Sequence, residues 1–218
     1  MSLYDLNPND LDEYIARNSA GEDQLLYELN RHTHLTTYHP RMISGPIVGK
    51  FLEFLARIHK AECVLEIGTF TGYSAICLAR GMDPKGHLHT IEMNDEVVEI
   101  AQQYIARAGL NDRVTIHVGN ALEVIPSLNY SFDLVLIDGD KREYPQYLEA
   151  IAGKVKPGGI IIADNVLWDG KVVDSTEKDP FTNALREFNS IVTSRSDLEN
   201  LLLPLRDGLM VILKSSKR

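Results

Sequence analysis

Hydrophobic positions along the chain follow two different periods. Up to His59 they recur at helical spacing. Asn9 to Asn18 reads as a polar helix, and Glu22 to His34 as a second, with Leu25, Leu26 and Leu29 on one face. Pro40 and Gly45-Pro46 then interrupt. Val48, Phe51, Leu52, Leu55 and Ile58 form a helical stripe that runs to His59. From Glu62 the pattern becomes short apolar runs separated by amphipathic stretches. Cys63–Ile67, His87–Ile91, Val114–Val118, Phe132–Ile137, Gly159–Ala163, Leu201–Leu205 and Leu209–Lys214 read as strands. Gly72–Arg80, Asp95–Arg107, Ala121–Leu128, Arg142–Lys154 and Pro180–Val192 read as the helices between them. Strands that alternate with helices predict a mostly parallel sheet covered on both faces. Arg206-Asp207-Gly208 reads as a tight hairpin turn, which makes the last strand antiparallel to its neighbour.

Length and composition narrow this picture. At 218 residues and 44% hydrophobic content, residues 1–218 suit one domain with a full core. The formal charge is −9, from 31 acidic and 22 basic residues, which disfavours a broad electrostatic grip on nucleic acid. Cys63 and Cys77 both sit in apolar runs and read as buried thiols. No apolar stretch approaches the roughly 20 residues of a membrane span. Met1 to Asp12 is polar and acidic, unlike a secretion signal, so the expected location is cytoplasmic.

In a sheet of this kind ligands bind outside the carboxyl ends of the strands. Glu66-Ile67-Gly68-Thr69-Phe70-Thr71-Gly72-Tyr73-Ser74 follows the first strand, Glu92 ends the second, Asp138-Gly139-Asp140-Lys141 follows the fourth, and Asp164-Asn165 the fifth. Gly68 and Gly72 allow a sharp turn and a close backbone approach. Ser74 offers a hydroxyl or amide in the first turn of the next helix. Glu92, at the end of the second strand, stands where an acid accepts ribose hydroxyls. Phe70 occupies the place of the second glycine in the dinucleotide pattern, so the loop suits a pyrophosphate poorly. A nucleoside without phosphates fits better, and Glu66 suits a cationic one. S-adenosylmethionine, with its sulfonium and amino-acid tail, meets both conditions.

Asp138 and Asp164 end strands expected to be adjacent, about 4.8 Å apart. With Asn165 they form an all-oxygen set suited to magnesium, manganese or calcium. Without a metal the same acids would be ordinary caps.

The assembled residues resemble the cation-dependent O-methyltransferases, the group that contains caffeoyl-CoA and catechol O-methyltransferases. The resemblance is carried by V-L-E-I-G-T-F-T-G-Y-S at 64–74, H-T-I-E at 89–92, F-D-L-V-L-I-D-G-D-K at 132–141, G-G-I-I-I-A-D-N-V-L-W-D-G at 158–170 and L-P-L-R-D-G-L at 203–209. It implies a Rossmann-like, seven-stranded, mostly parallel α/β sheet with an antiparallel last strand. It implies metal ligands Asp138, Asp164 and Asn165. Cofactor contacts would come from Met42, Ser44, Glu66, Gly68, Phe70, Ser74, Glu92, Ala121 and Asp138. Lys141 falls on the lysine proposed as general base, and Trp168 on a tryptophan beside the acceptor. A homodimer is implied as well. The chain departs from the family at Ile47 and Val48, where plant members carry an acidic pair, and at Leu201, about where a catechol-gripping acid is expected. Residues 1–40 match weakly; they are expected to be helical and to help shape the acceptor pocket.

The expected reaction is attack of a small aromatic hydroxyl on the sulfonium methyl. A phenol of pKa about 10 is a poor nucleophile at neutral pH, and a dication stabilises its phenolate. The rival within this fold is methylation of a hydroxylated uridine in tRNA, for which Arg31, Arg41, Arg142 and Lys171 are candidate groove cations. A nucleoside-binding module without catalysis has no need of the three oxygen ligands. His32, His34 and His39 are read as surface residues without a role.

Overall fold

The computed structural model describes residues 8–215. Three helices precede the sheet: α1 (Pro8–Arg17), α2 (Gln24–Thr36) and α3 (Gly45–His59). The Asp23 carboxylate caps α2 by accepting from the Leu26 amide at 2.9 Å. Gly45-Pro46, expected to interrupt the chain, instead begins α3: proline in the first turn needs no N–H partner. Then follow β1 (Cys63–Ile67), α4 (Tyr73–Gly81), β2 (His87–Glu92), α5 (Asp95–Arg107), β3 (Val114–Val118), α6 (Ala121–Ser127), β4 (Phe132–Ile137), α7 (Tyr144–Ala152), β5 (Val155–Asp164), α8 (Pro180–Ser194), β6 (Leu198–Leu203) and β7 (Leu209–Lys214).

The seven strands lie in the order β3-β2-β1-β4-β5-β7-β6. The first five are parallel, and β7 inserts antiparallel between β5 and β6. Each face of the sheet carries its own core. Val64, Leu88, Leu134 and Ile162 pack with residues of α2, α3, α4 and α5. Leu65, Val135, Ile161 and Ile212 pack with α6, α7 and α8. Adjacent positions of one strand thus face opposite cores, which is why the strands read as continuous apolar runs.

Three boundaries differ from expectation. A 3-10 turn at Lys141–Glu143 leads into α7, which therefore starts at Tyr144 with Pro145 in its first turn. β5 begins at Val155, and its register with β4 jumps from Phe132↔Val155 to Leu134↔Ile160, so the Lys156–Gly159 stretch bulges. β6 spans Leu198–Leu203 rather than Leu201–Leu205, so the hairpin to β7 runs through residues 204–208 and is wider than a tight turn. Cys77 is buried as expected, while Cys63 is only half-buried; both are free thiols. No helix among the described residues is long and apolar enough to cross a membrane.

The direction of the sheet's growth reverses between β1 and β4, so the crevice at their carboxyl ends is the expected ligand site. Packing of α3 on α4 holds the loop on one side of that crevice. At the end of α4, a Cβ on Gly81 would overlap the Glu53 carbonyl oxygen of α3 and stand 2.9 Å from the Glu53 Cα. Gly81→Ala is expected to destabilise the fold by about 1–3 kcal/mol, the usual cost of overpacking. Urea denaturation measures it, and an unchanged midpoint would mean that the two helices can separate at no cost.

Candidate active site

After β1 the chain turns through Gly68 to Gly72 into α4. Gly68 has φ +101°, and its amide donates to the Ile91 carbonyl at 2.9 Å. A Cβ there would overlap the backbone oxygen of Asp138 and stand 2.8 Å from the carbonyl carbon, so only glycine lets the ends of β1 and β4 meet this closely. Phe70, at φ +49°, donates its amide to Glu92 Oε2 at 2.7 Å. Glu92 Oε1 accepts from the Asn94 amide at 2.8 Å. Glu92 therefore braces the loop with one bond to each oxygen, and each oxygen retains acceptor capacity for a further donor. With its amide engaged, Phe70 has only its side chain and carbonyl to offer a ligand.

Glu66 is wholly buried at the end of β1. Its Oε2 accepts from the Thr90 hydroxyl at 2.5 Å, and Thr69 donates in turn to Thr90 at 2.5 Å. Among the described residues its Oε1 makes no hydrogen bond of good geometry, the Ser74 hydroxyl being its polar neighbour. Burial pushes the carboxyl up to about 8, against the opposing pull of the Ser74 and Thr90 hydroxyls; Asp138 and Glu92 add repulsion. Ser74 is itself buried in the first turn of α4. A buried carboxyl with an unsatisfied oxygen fits a ligand that brings donors or positive charge. The remaining expected cofactor contacts stand on separate elements. Ala121 is buried at the start of α6, which Asn120 caps. Exposed Met42 and buried Ser44 lie in the turn before α3. The loop itself is tied to α2, where the Thr71 hydroxyl donates to Thr33 at 2.9 Å.

Across the crevice, the register Ile137↔Ala163 sets Asp138 and Asp164 at matching strand ends. The Asp138 amide donates to the Ile67 carbonyl at 2.8 Å, which ties this end to β1. Asp164 is buried, and burial together with the charge of Asp138 raises its carboxyl to about 7. Its Oδ1 accepts from the Asn165 amide at 2.7 Å. Asn165 adopts φ +60°, which asparagine tolerates better than most residues. Among the described residues no three His, Cys, Asp or Glu gather in a ligating arrangement. A third protein donor beside the two acids would thus be the Asn165 amide oxygen, and such an all-oxygen set fits a hard dication.

Lys141 is buried, and its Nζ donates to Asp138 Oδ1 and to Tyr144 Oη, each at 2.7 Å. Tyr144 is wholly buried; its hydroxyl donates to the backbone oxygens of Asp164 at 2.9 Å and Ile137 at 3.1 Å. One phenol thus joins the ends of β4 and β5 to the lysine between them. Sequence reading missed Tyr144; its signal is the three-residue step from Lys141 at the start of a helix, which brings both side chains to one face.

Trp168, half-buried with φ +51°, stacks on Phe181 with ring centroids 5.8 Å apart and planes at 19°. The Arg142 guanidinium lies 5.1 Å from the Phe181 ring and is paired with Asp140. Arg142, a candidate groove cation, is thus paired with Asp140 while remaining exposed, and Phe181, from the first turn of α8, is a second residue that the sequence reading overlooked. The Trp168 loop is held by the β6–β7 hairpin: Val166 and Leu167 donate to the carbonyls of Gly208 and Asp207 at 3.1 and 2.9 Å, and the Asp169 amide to the Asp207 carboxylate at 2.6 Å. Leu201 is exposed on edge strand β6. His32 lines a groove of about 630 Å³ with Tyr27, Arg31, Leu35 and Tyr104, which contains none of the candidate site residues.

A family profile described as O-methyltransferase matches residues 16–215. A catechol O-methyltransferase of Niastella koreensis is 36% identical over 168 residues, covering 75% of this chain and 76% of its own length. Caffeoyl-CoA O-methyltransferase 2 of Zea mays is 32% identical over 219 residues, covering 93% of this chain and 82% of its own. The crystal structure of the O-methyltransferase TomG from Streptomyces achromogenes, in complex with SAM, superposes with a TM-score of 0.89 at 32% identity, covering 99% of this chain and all of that one.

The buried Glu66 carboxyl makes the stability of the ligand-free protein pH-dependent. A carboxyl raised from 4.5 to about 8 stabilises the fold fully below 4.5, and that contribution is lost as pH rises toward 8. One such group gives a slope of about 1.4 kcal/mol per pH unit inside that window. Glu66→Gln is expected to remove about half of the slope between pH 5 and 7, leaving that of Asp164, whose carboxyl is raised to about 7, and to flatten the profile between pH 7 and 8. A variant profile parallel to wild type would place the titration elsewhere.

Proposed function

The chain belongs to the O-methyltransferase family, and from that premise we propose that it transfers the methyl group of S-adenosylmethionine to a hydroxyl of a small catechol- or caffeoyl-type aromatic, assisted by a divalent cation. The observation that carries the reading is the meeting, at one switch point, of an unsatisfied buried Glu66 with the Asp138–Asp164 pair. Glu92 accepts the ribose hydroxyls on the capacity left beside its two backbone bonds. Glu66 and Ser74 face the amino-acid end, and Gly68 lets the backbone come close. Asp138, Asp164 and Asn165 hold the cation, which when bound supplies positive charge that stabilises a phenolate. Lys141, tethered to Asp138 and Tyr144, is the proposed acceptor of the phenolic proton, a role it can fill only once its ammonium has released a proton to solvent. Trp168, stacked on Phe181, forms an apolar wall for the acceptor ring. The protein's main contribution is then to hold oxygen and methyl in line, where orientation supplies several kcal/mol. The functional unit proposed is a homodimer.

The reading is tested by methyl transfer from S-adenosylmethionine over catechol, caffeoyl thioester, flavonoid and tRNA acceptors, with and without magnesium. Transfer to a catechol-type acceptor that stops on chelation and returns with magnesium or manganese is the expected result. Asp164→Ala should lower kcat more than Asn165→Ala, because it removes a charge as well as a ligand. Methylation at the original rate after chelation would overturn the metal's role, and transfer confined to tRNA would overturn the acceptor class.

For the acceptor wall, Trp168→Ala is expected to raise the acceptor KM by roughly tenfold, the loss of one good aromatic contact of order 1 kcal/mol or more. Affinity for S-adenosylhomocysteine should stay within about twofold. Equal losses for both ligands would mean that Trp168 supports the fold and not the pocket.

A further inference from the structure

The β6–β7 hairpin contains an arginine where its backbone would suit glycine. Arg206 has φ +51°, a left-handed conformation that is costly for a side chain with a β-carbon. The strained residue makes a distant connection. Its Nη1 donates to the backbone oxygen of Ile43 at 3.0 Å and, more closely, to that of Ser44. These carbonyls belong to the turn that carries Met42 and Ser44 and leads into α3. The turn is otherwise held by the burial of Ile43 in the core and by two local bonds, Met42 to the His39 carbonyl at 3.0 Å and Ile43 to the Pro40 carbonyl at 3.3 Å. Ser44, at the cap position of α3, makes no side-chain capping bond.

The neighbouring hairpin residues grip the other side of the crevice. Asp207 and Gly208 bind the 166–169 backbone as described above, and a Cβ on Gly208 would stand 2.5 Å from the Leu167 Cγ. Strand β7 begins at Leu209, directly paired with Asp164. Residues 206–208 therefore hold, from one short segment, both the turn with Met42 and Ser44 and the loop with Asn165 and Trp168.

From this geometry we infer that Arg206 is a positioning residue that couples the cofactor wall to the acceptor loop, so that each ligand, by ordering its own loop, tightens the binding of the other. A guanidinium suits this connection because it is planar, always charged, and able to donate to two carbonyls from one rigid group. Binding that orders one loop lowers the cost of ordering the loop tied to it. The inference rests on the methyltransferase reading for the identity of the two ligands.

The test is Arg206→Gly, which keeps the positive φ and removes the guanidinium. Calorimetry would measure S-adenosylhomocysteine binding alone and with catechol plus magnesium, a pair in which no methyl can be transferred. The wild-type protein should bind each ligand more tightly in the presence of the other. In R206G, affinity for S-adenosylhomocysteine should fall about five- to tenfold, as expected for loss of charge-assisted hydrogen bonds. The mutual tightening should shrink toward none, while the melting temperature without ligand stays the same or rises. Arg206→Lys should restore part of the affinity, and Arg206→Gln, which keeps one donor pair, carries the same comparison if R206G does not fold. Unchanged affinity and coupling in the variant overturn the inference. So does a wild type that binds the two ligands independently, or an affinity loss that only tracks a lower melting temperature and is not relieved by lysine. If the wild type binds no S-adenosylhomocysteine at all, the functional reading fails and the inference with it; if only the variant comparison is flat, the functional reading stands.

Discussion

Two carboxylates at neighbouring strand ends, in a place that water barely reaches, repel each other, and much of the site is arranged around that repulsion. Asp138 and Asp164 are brought together by the parallel register of β4 and β5, and the sheet cannot separate them without losing its ladder. Burial, with the charge of Asp138 added to it, raises the Asp164 carboxyl. Lys141 offsets part of it through Asp138, and Tyr144 fixes the geometry from below by binding both strand-end carbonyls and the lysine. A folded protein that keeps such a pair carries a destabilising feature, which is better explained by a ligand than by packing.

The second constraint is steric. Gly68 touches the Asp138 carbonyl, so the cofactor loop after β1 and the carboxylates after β4 are built against one another. Glu92 then sets the path of the loop through Phe70. These contacts are short and mostly backbone-mediated, which makes this half of the site rigid. The other half is built of residues in left-handed conformations, Asn165, Trp168, Asp169 and Gly170, held by the hairpin rather than by regular structure. Rigidity on one side and tethered loops on the other is a common division in α/β enzymes: the scaffold fixes the reacting groups and the loops admit the substrate.

How much of this was legible in the sequence depended on how local each signal is. The strands of the parallel sheet were readable because burial on both faces makes them continuous apolar runs, and their carboxyl ends exposed Glu66, Glu92, Asp138 and Asp164 as candidates. The extent of β5 was not, because Lys156-Pro157-Gly158-Gly159 reads as a turn while the chain bulges and continues the strand. The start of α7 was misplaced for a related reason: Lys141–Glu143 has helical composition but forms a 3-10 turn. Tyr144, Phe181 and Arg206 escaped because their roles lie in contacts across the fold. A tyrosine in an apolar helix and an arginine in a hairpin are ordinary until the carbonyls they bind are known.

The proposed acceptor wall is built on a different principle from the strand ends. The proposed ligands Glu66, Glu92, Asp138 and Asp164 sit at strand ends, where the register of the sheet fixes their positions. The proposed acceptor wall is Trp168 and Phe181, which come from a loop and a helix start. Their mutual placement is set by side-chain stacking and by the hairpin's hold on the 166–169 loop rather than by a hydrogen-bonded ladder. Hydrophobic stacking constrains the shape of a ring more than the pattern of its substituents. A wall of that construction suits a flat aromatic ring and leaves the substituents of the proposed acceptor to other contacts.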